Sequence, residues 1–410
     1  MGMQPKLRFK GFTDDWEKRQ LGEIGQFIRL SVNPQESPND IFREYSMPAF
    51  DNRQTPNVVL GSTMHSNRLK MIDNILLINK LNVRQRRIWL VKKAGENAVS
   101  SSEFMPFIPN DVNLEFLKQV FLSDKVTKKL ENISSGTSNS QKRITPLDML
   151  DYLLEKPEDV QEQVKIGTLF AHLDTLITVN QRKVDLLKRK KAGYLQKLFP
   201  KNGQNNPELR FKGYTDAWEK RRLGDVVNKV RSYSLSRDVE CNKSTGYKYI
   251  HYGDIHTGVA DIINKKSVLP NIKPNQYDTL SVNDLIVADA SEDYQGIASP
   301  AVIQALPDEN LVAGLHTIAL RPQDTNATFL YYLLHTGNFK HFGYRAGTGL
   351  KVFGISWPNL SKFEFNLPSQ KEQDKVVDLL RLLDNLVVVN QRKVDLLKRE
   401  KKALLQKMFV

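Results

Sequence analysis

The chain has 410 residues, 40% of them apolar, which is enough to fill two cores of ordinary size. Sixty Lys and Arg against forty-six Asp and Glu leave a net charge of +14, which favours phosphate polymers or anionic surfaces as partners. A single cysteine, Cys241, excludes an intrachain disulfide and any multi-cysteine zinc site, and fits a reducing compartment.

The opening residues MGMQPKLRFKGF lack the apolar run of an export signal, and Lys6 stands where N-myristoylation wants Ser or Thr. A cytoplasmic chain is expected. Residues 5–22, PKLRFKGFTDDWEKRQLG, return at 207–224 as PELRFKGYTDAWEKRRLG, and residues 180–197, NQRKVDLLKRKKAGYLQK, return at 390–407 as NQRKVDLLKREKKALLQK. Each pair matches at 14 of 18 positions, so the chain reads as two similar halves whose inserts have diverged.

The first insert runs from residue 23 to about 155. Within it DNILLI at 73–78 has the apolar run of a buried strand, and FMPFIPNDVNLEFLKQVFL at 104–122 reads as strand, proline turn and helix. Arg84, Arg86, Arg87, Lys92 and Lys93 crowd around Trp89, while Lys125, Lys128, Lys129, Lys142 and Arg143 flank a polar Gly-Thr loop, SSGTSNSQKR at 134–143. Arg can read guanine edges bidentately, Lys mainly meets phosphate, and Asn139 and Gln141 could pair with adenine. As a set these residues point to DNA contact, although any one of them taken alone reads as a solvated surface charge.

From Ile166 the polarity follows the alternating four-and-three spacing of a coiled-coil seam through Phe170, Leu173, Ile177, Asn180, Val184, Leu187, Lys191, Tyr194 and Leu198. Pro157 before it, and Pro200 with KNGQNNP after it, limit one long helix and leave 199–207 as a connector. Asn180 is expected to fix register, because a misaligned partner would strand its amide among apolar side chains.

The second insert, 225 to about 366, keeps the same order: NDLIVA at 283–288 as a strand, TIALRPQDTNATFLYYLLH at 317–335 as strand, turn and helix, and RAGTGLKVF at 345–353 as a second Gly-Thr loop. Lys229, Arg231, Arg237, Arg345, Thr348 and Lys351 are its nearest DNA-contact candidates. After Pro368 the seam repeats at Val376, Leu380, Leu383, Val387, Asn390, Val394, Leu397, Lys401, Leu404 and Met408. Asp378, Arg381 and Asp384 exclude an ordinary membrane span there. Each seam covers 33 residues, a rod of roughly 50 Å, and two matched seams are best explained by packing against each other, with Asn390 the second register marker; if they run antiparallel and centred on one another, Asn180 and Asn390 come within reach of a shared hydrogen bond.

The chemistry of catalysis is absent from the pattern. There is no [ND]-P-P-[YF] tetrad of the kind that holds a base amine beside a methyl donor, and no G-x-x-x-x-G-K-[ST] phosphate loop. Gly-Thr-Gly at 347–349 is too short for a nucleotide cradle, and His251 with His256 lacks further ligands at metal spacing. No catalytic residue and no metal ligand is assigned.

Taken together, W-x4-LG in each half (Trp16 to Gly22, Trp218 to Gly224), the apolar strand, the Gly-Thr loop, the Glu-Gln pairs Glu162-Gln163 and Glu372-Gln373, and the NQRKVDLLKR helix resemble the specificity subunits of type I restriction-modification enzymes. The resemblance covers nearly the whole chain. It departs in the first Gly-Thr loop, more polar than the second, and in LLEKP before the first helix where LPSQK precedes the other.

The resemblance implies an α+β fold with a pseudo-two-fold internal repeat, in which two target recognition domains (1–157 and 208–368) are separated by two long antiparallel coiled-coil helices (158–198 and 369–410) joined through 199–207. It further implies a non-catalytic, DNA-binding component of a restriction system that reads an asymmetric bipartite site in double-stranded DNA. Two modification subunits, which bind S-adenosylmethionine and methylate adenine, and two restriction or translocase subunits, which use ATP and Mg2+, are the implied partners, with no membrane partner. A coiled-coil, DNA-associated scaffold and a stand-alone DNA-binding regulator are the alternatives left open by the residues.

Overall fold

The computed structural model describes residues 4–136, 138, 141–201, 203–293, 296–349 and 353–409. The chain forms two compact units, one made of residues 1–182 with 391–410 and the other of 183–390. Each unit contains one α+β domain and segments of both long helices.

In the first domain the expected strand within DNILLI forms as Ile75–Asn79 and lies in a four-stranded antiparallel sheet in the order Gly25–Phe27, Phe104–Pro109, Ile75–Asn79, Ile88–Val91. Its residues alternate between two cores: Leu76 and Ile78 face one with Phe107, Phe116 and Phe170, while Ile75 and Leu77 face the other with Tyr45, Trp89 and Phe104. The turn after Pro109 leads into helix Leu114–Leu122, whose Asn113 side chain accepts from Phe116 N. Helices Asp124–Ile133 and Pro146–Leu150 follow, and Leu153–Lys156 closes the domain by pairing with Glu17–Gln20.

The second domain repeats this plan. Leu285–Ala288 lies between Thr317–Pro322 and Pro300–Ile303 in a five-stranded sheet, the helix Ala327–Leu334 is capped by Asn326, and Glu364–Leu367 pairs with Glu219–Arg222. The sequence order seen in both inserts is therefore the order of one repeated domain.

The repeated segments hold each domain to its helices. Arg8 forms a two-armed ion pair with Glu162 at 2.7 and 2.8 Å, and Arg210 forms the same pair with Glu372 at 2.7 and 2.9 Å; both carboxylates are buried. The adjoining Gln163 accepts from Asn113 N and donates to Pro157 O, as Gln373 does with Asn326 N and Pro368 O. These contacts give the repeated Arg, Glu and Gln a structural reason to be there.

Helices Val160–Lys197 and Gln370–Met408 are each continuous. The expected seam is the buried stripe in both: Ile166, Phe170, Leu173, Asn180, Val184 and Leu198 are buried in the first, and Val376, Leu380, Leu383, Asn390, Val394 and Met408 in the second. Within the first unit the pairing is antiparallel, since Phe170 meets Phe409 and Asp174 meets Lys401. Within the second, Lys191 meets Asp384 while Leu198 and Phe199 share a core with Val376 and Leu380, which again is antiparallel. Asn180 and Asn390 each donate to a carbonyl of their own helix, Leu176 O at 2.7 Å and Leu386 O at 2.6 Å.

Candidate nucleic-acid interface

Of the first-domain cations, most are held by carboxylates. Arg84 pairs with Glu131 at 2.7 Å, Arg86 donates to Leu122 O and Asp124, Arg87 grips Asp51 with both arms, and Lys92 pairs with Glu115 at 2.7 Å. The expected cluster around Trp89 is thus distributed: Arg84 and Arg86 face the helix Asp124–Ile133, Arg87 faces the helix Met47–Asp51, and Trp89 itself is buried against Tyr45 and Phe50. Lys125 and Lys129 both reach Glu155. Exposed pairs of this kind are worth about 0–1 kcal/mol, so exchanging a carboxylate for a phosphate costs little at most of these positions.

Arg86 is the exception. Its backbone is left-handed at φ 48°, and its guanidinium bridges the loop to the next helix, which makes it an anchor of the loop. Lys93 is exposed, and no ion pair is found for it among the described residues. In the second domain Lys229 is an exposed strand residue, Arg231 lies 5.0 Å over the Tyr233 ring, and Arg237 pairs with Glu240 and Asp254. Arg345 borders a cleft of about 630 Å³ lined by Phe342, Phe363 and Lys362.

The two Gly-Thr loops are held alike. In the first domain Ser135 and Leu81 bridge to Arg143, Gln141 is exposed, Lys142 is half-buried with its carbonyl accepting from Asn82 N, and Asn139 lies outside the described residues. In the second, exposed Thr348 exchanges two backbone hydrogen bonds with Gly354 at 2.9 Å each, and Lys351 lies outside the described residues. Behind each loop the main chain repeats a further pattern. Lys80 N donates to Glu103 O at 2.9 Å and Ile144 N to Lys80 O at 3.1 Å; Asp289 N donates to His316 O at 3.0 Å and Ile355 N to Asp289 O at 2.8 Å.

Sequence reasoning did not single out Lys80, Glu103, Asp289 or His316, because nothing in their spacing marks them. Only the paired main-chain hydrogen bonds reveal that they are equivalent.

Among the described residues there is no group of three or more His, Cys, Asp or Glu placed to hold a metal ion. None of the described helices is long and apolar enough to cross a membrane. What the arrangement offers is two loop platforms of like frame and unlike side chains, surrounded by cations. A protein of two α+β heads with paired long helices is the class this defines.

Comparison with known proteins agrees. Residues 215–399 match the family described as the type I restriction modification DNA specificity domain. The type I restriction enzyme MjaVIII specificity subunit of Methanocaldococcus jannaschii is 21% identical over 258 residues, 60% of this chain and 59% of that protein, so the chain spans about three-fifths of the curated relative it matches. In fold, the S subunit of a type I restriction-modification system from M. genitalium superposes with a TM-score of 0.64 at 14% identity, covering 100% of this chain and 99% of that one. A chain from a study of complex assembly and conformational transition of the type I R-M system gives 0.54 at 20% identity, covering 96% and 97%. Residues 215–399 thus carry a type I restriction modification DNA specificity domain, and the chain is similar in sequence to a type I specificity subunit and in fold to S subunits of type I restriction-modification systems.

Proposed function

We propose that this chain reads an asymmetric bipartite site in double-stranded DNA and directs partner subunits to it, contributing no catalytic group of its own. Residues 1–157 and 208–368 are assigned as the two target recognition domains, residues 158–198 and 369–410 as the spacer helices, and 199–207 as the connector. Two modification subunits bring S-adenosylmethionine and methylate adenine, and two restriction or translocase subunits bring ATP and Mg2+. The setting is the cytoplasm.

The observation that carries this reading is the repetition of one domain frame with unlike contents. Two readers of identical content would recognise identical half-sites, whereas Arg143 and Gly354, or Lys80 and Asp289, occupy the same place with different chemistry. Joining two weak readers in one chain makes the second contact intramolecular, which raises affinity for DNA carrying both blocks. Arg84, Arg86, Arg87, Lys92, Lys93, Asn139, Gln141, Lys142 and Arg143 in the first domain, with Lys229, Arg231, Arg345, Thr348 and Lys351 in the second, are the proposed DNA contacts.

Methylation sequencing of a host with and without the chain tests the proposal. Loss of one bipartite adenine motif on deletion is the expected result, and exchange of residues 23–155 for another insert should change one half of that motif. Transcript changes without a methylation change would favour a stand-alone regulator, and no change in either would favour a scaffold; no described residue specifically favours those readings.

A further inference from the structure

The equivalent strand ends behind the Gly-Thr loops carry opposite charge patterns on one backbone frame. In the first domain Lys80 Nζ donates to Ser102 O at 2.7 Å, Glu103 Oε1 accepts from Arg143 at 2.9 Å, and Glu103 Oε2 is buried with no partner among the described residues. In the second, Asp289 replaces Lys80, His316 replaces Glu103 and Gly354 replaces Arg143; His316 Nδ1 lies 3.0 Å from Asp289 Oδ1, and the Tyr252 ring meets the imidazole edge-on at 5.3 Å. A positive, negative, positive set thus becomes a negative carboxylate beside an imidazole.

Three features mark these positions as readers. The main-chain hydrogen bonds fix where they point regardless of side chain, so substitution there changes chemistry without disturbing the scaffold. His316 is held at φ 54°, a conformation that costs a non-glycine residue on the order of 1 kcal/mol, and the position nevertheless carries a large exposed polar side chain. Finally, the groups present match base edges: a carboxylate accepts from cytosine N4, and Arg or Lys donates to guanine O6 and N7.

We infer that Lys80, Glu103 and Arg143 in the first domain, and Asp289 and His316 in the second, are equivalent base-reading positions that set the two half-sites. This rests on the DNA-reading function proposed above. The carboxylate of Glu103 and the guanidinium of Arg143 are paired in the free chain, and their hydrogen bonds are redirected to base edges on binding. Asp289 and His316 do the same in the second domain with a reversed preference for donors.

The experiment is methylation sequencing of hosts carrying the cognate modification subunits and either the parent chain, Glu103→Gln, Arg143→Gln, Asp289→Asn or His316→Gln. Lys220→Ala, on the exposed strand Glu219–Arg222, is the control. The first two variants should relax or alter a base in one half-site only, and the latter two in the other, with at least tenfold more methylation at the newly accepted sequences; the control should leave both blocks intact. Unaltered blocks in fully methylating variants would overturn the inference while leaving the broader function standing.

If a variant abolishes methylation, binding of its purified assembly to the parental duplex and to single-base substituted duplexes decides. Lost discrimination at one block supports the inference and retained discrimination rejects it. Glu103→Asp, which keeps the charge, replaces Glu103→Gln if the latter does not accumulate. A parent chain whose deletion leaves the methylation pattern unchanged would remove the broader function itself.

Discussion

Lys401 Nζ lies 2.6 Å from Asp174 Oδ1, and Lys191 Nζ lies 2.5 Å from Asp384 Oδ1. The two lysines of the helical seams therefore have the same kind of partner, a carboxylate on the antiparallel helix segment of their own unit. Each carboxylate also binds its domain: Lys118 reaches Asp174 at 3.1 Å, and the Tyr332 hydroxyl donates to Asp384 at 2.7 Å.

Replacing Asp174 with Asn leaves two ammonium groups facing a neutral amide in a partly buried site. A loss on the order of 2 kcal/mol is expected, scaled down from fully buried pairs because both partners keep some exposure. Denaturant unfolding of Asp174→Asn against the parent measures it.

The same pair sets a pH dependence. Burial works to raise the Asp174 carboxyl, but Lys118 and Lys401 overcome it and hold the group below its ordinary value. An unfolded chain then binds more protons in acid, so the contribution is complete above about pH 4. It drains away as pH falls through the depressed folded value. Thermal melts of the parent should fall more steeply than those of Asp174→Asn as pH is lowered from about 4, the gap between the two narrowing toward the acid end.

Arg8 and Arg210 each neutralise a buried glutamate with two parallel hydrogen bonds. Arg8→Ala should cost about 3 kcal/mol by stranding Glu162, and Arg8→Lys should recover only part, because an ammonium cannot fill both positions of the fork. Urea midpoints of the three chains provide the comparison.

Phe409 packs on Trp16, Phe116 and Phe170, as Phe199 packs on Trp218 and Phe329. Phe409→Ala should destabilise by about 3 kcal/mol through the cavity it leaves. Hydrogen exchange should locate the loss in the unit of residues 1–182 and 391–410, with slow amides around Phe199 unaffected.

Lys229→Ala and Arg231→Ala, in contrast, should leave stability and the methylated motif unchanged. Each removes one phosphate contact if the proposed interface is right, which lowers the slope of log affinity against log salt by roughly one. Arg86→Ala should instead lower stability, since its guanidinium anchors a loop. DNA titrations at several salt concentrations, with a melt of each variant, separate the two behaviours.

Much of the fold was legible in the sequence because it depends on periodicity. The seam from Val376 to Met408, and the strands inside DNILLI and NDLIVA, are buried where their spacing puts them. Side-chain pairing was not legible. Arg84, Arg86 and Arg87 stand together in sequence yet face Glu131, Asp124 and Asp51 on two different helices, a consequence of the tight 83–87 turn with its left-handed Arg86. Phe199, read as the start of a connector, is a core residue. The equivalence of Glu103 and His316 lies in main-chain geometry alone, and two residues so unlike carry no shared signal.

The position of Phe409 has a bearing on biosynthesis. Trp16, Phe116 and Phe170 leave the ribosome long before the residue that covers them, whereas the partner ring for Trp218, Phe199, is already present when Trp218 emerges. The earlier of the two heads in chain order is therefore the one whose core closes later, and a nascent chain halted short of Phe409 exposes an aromatic surface that chaperones or proteases can recognise.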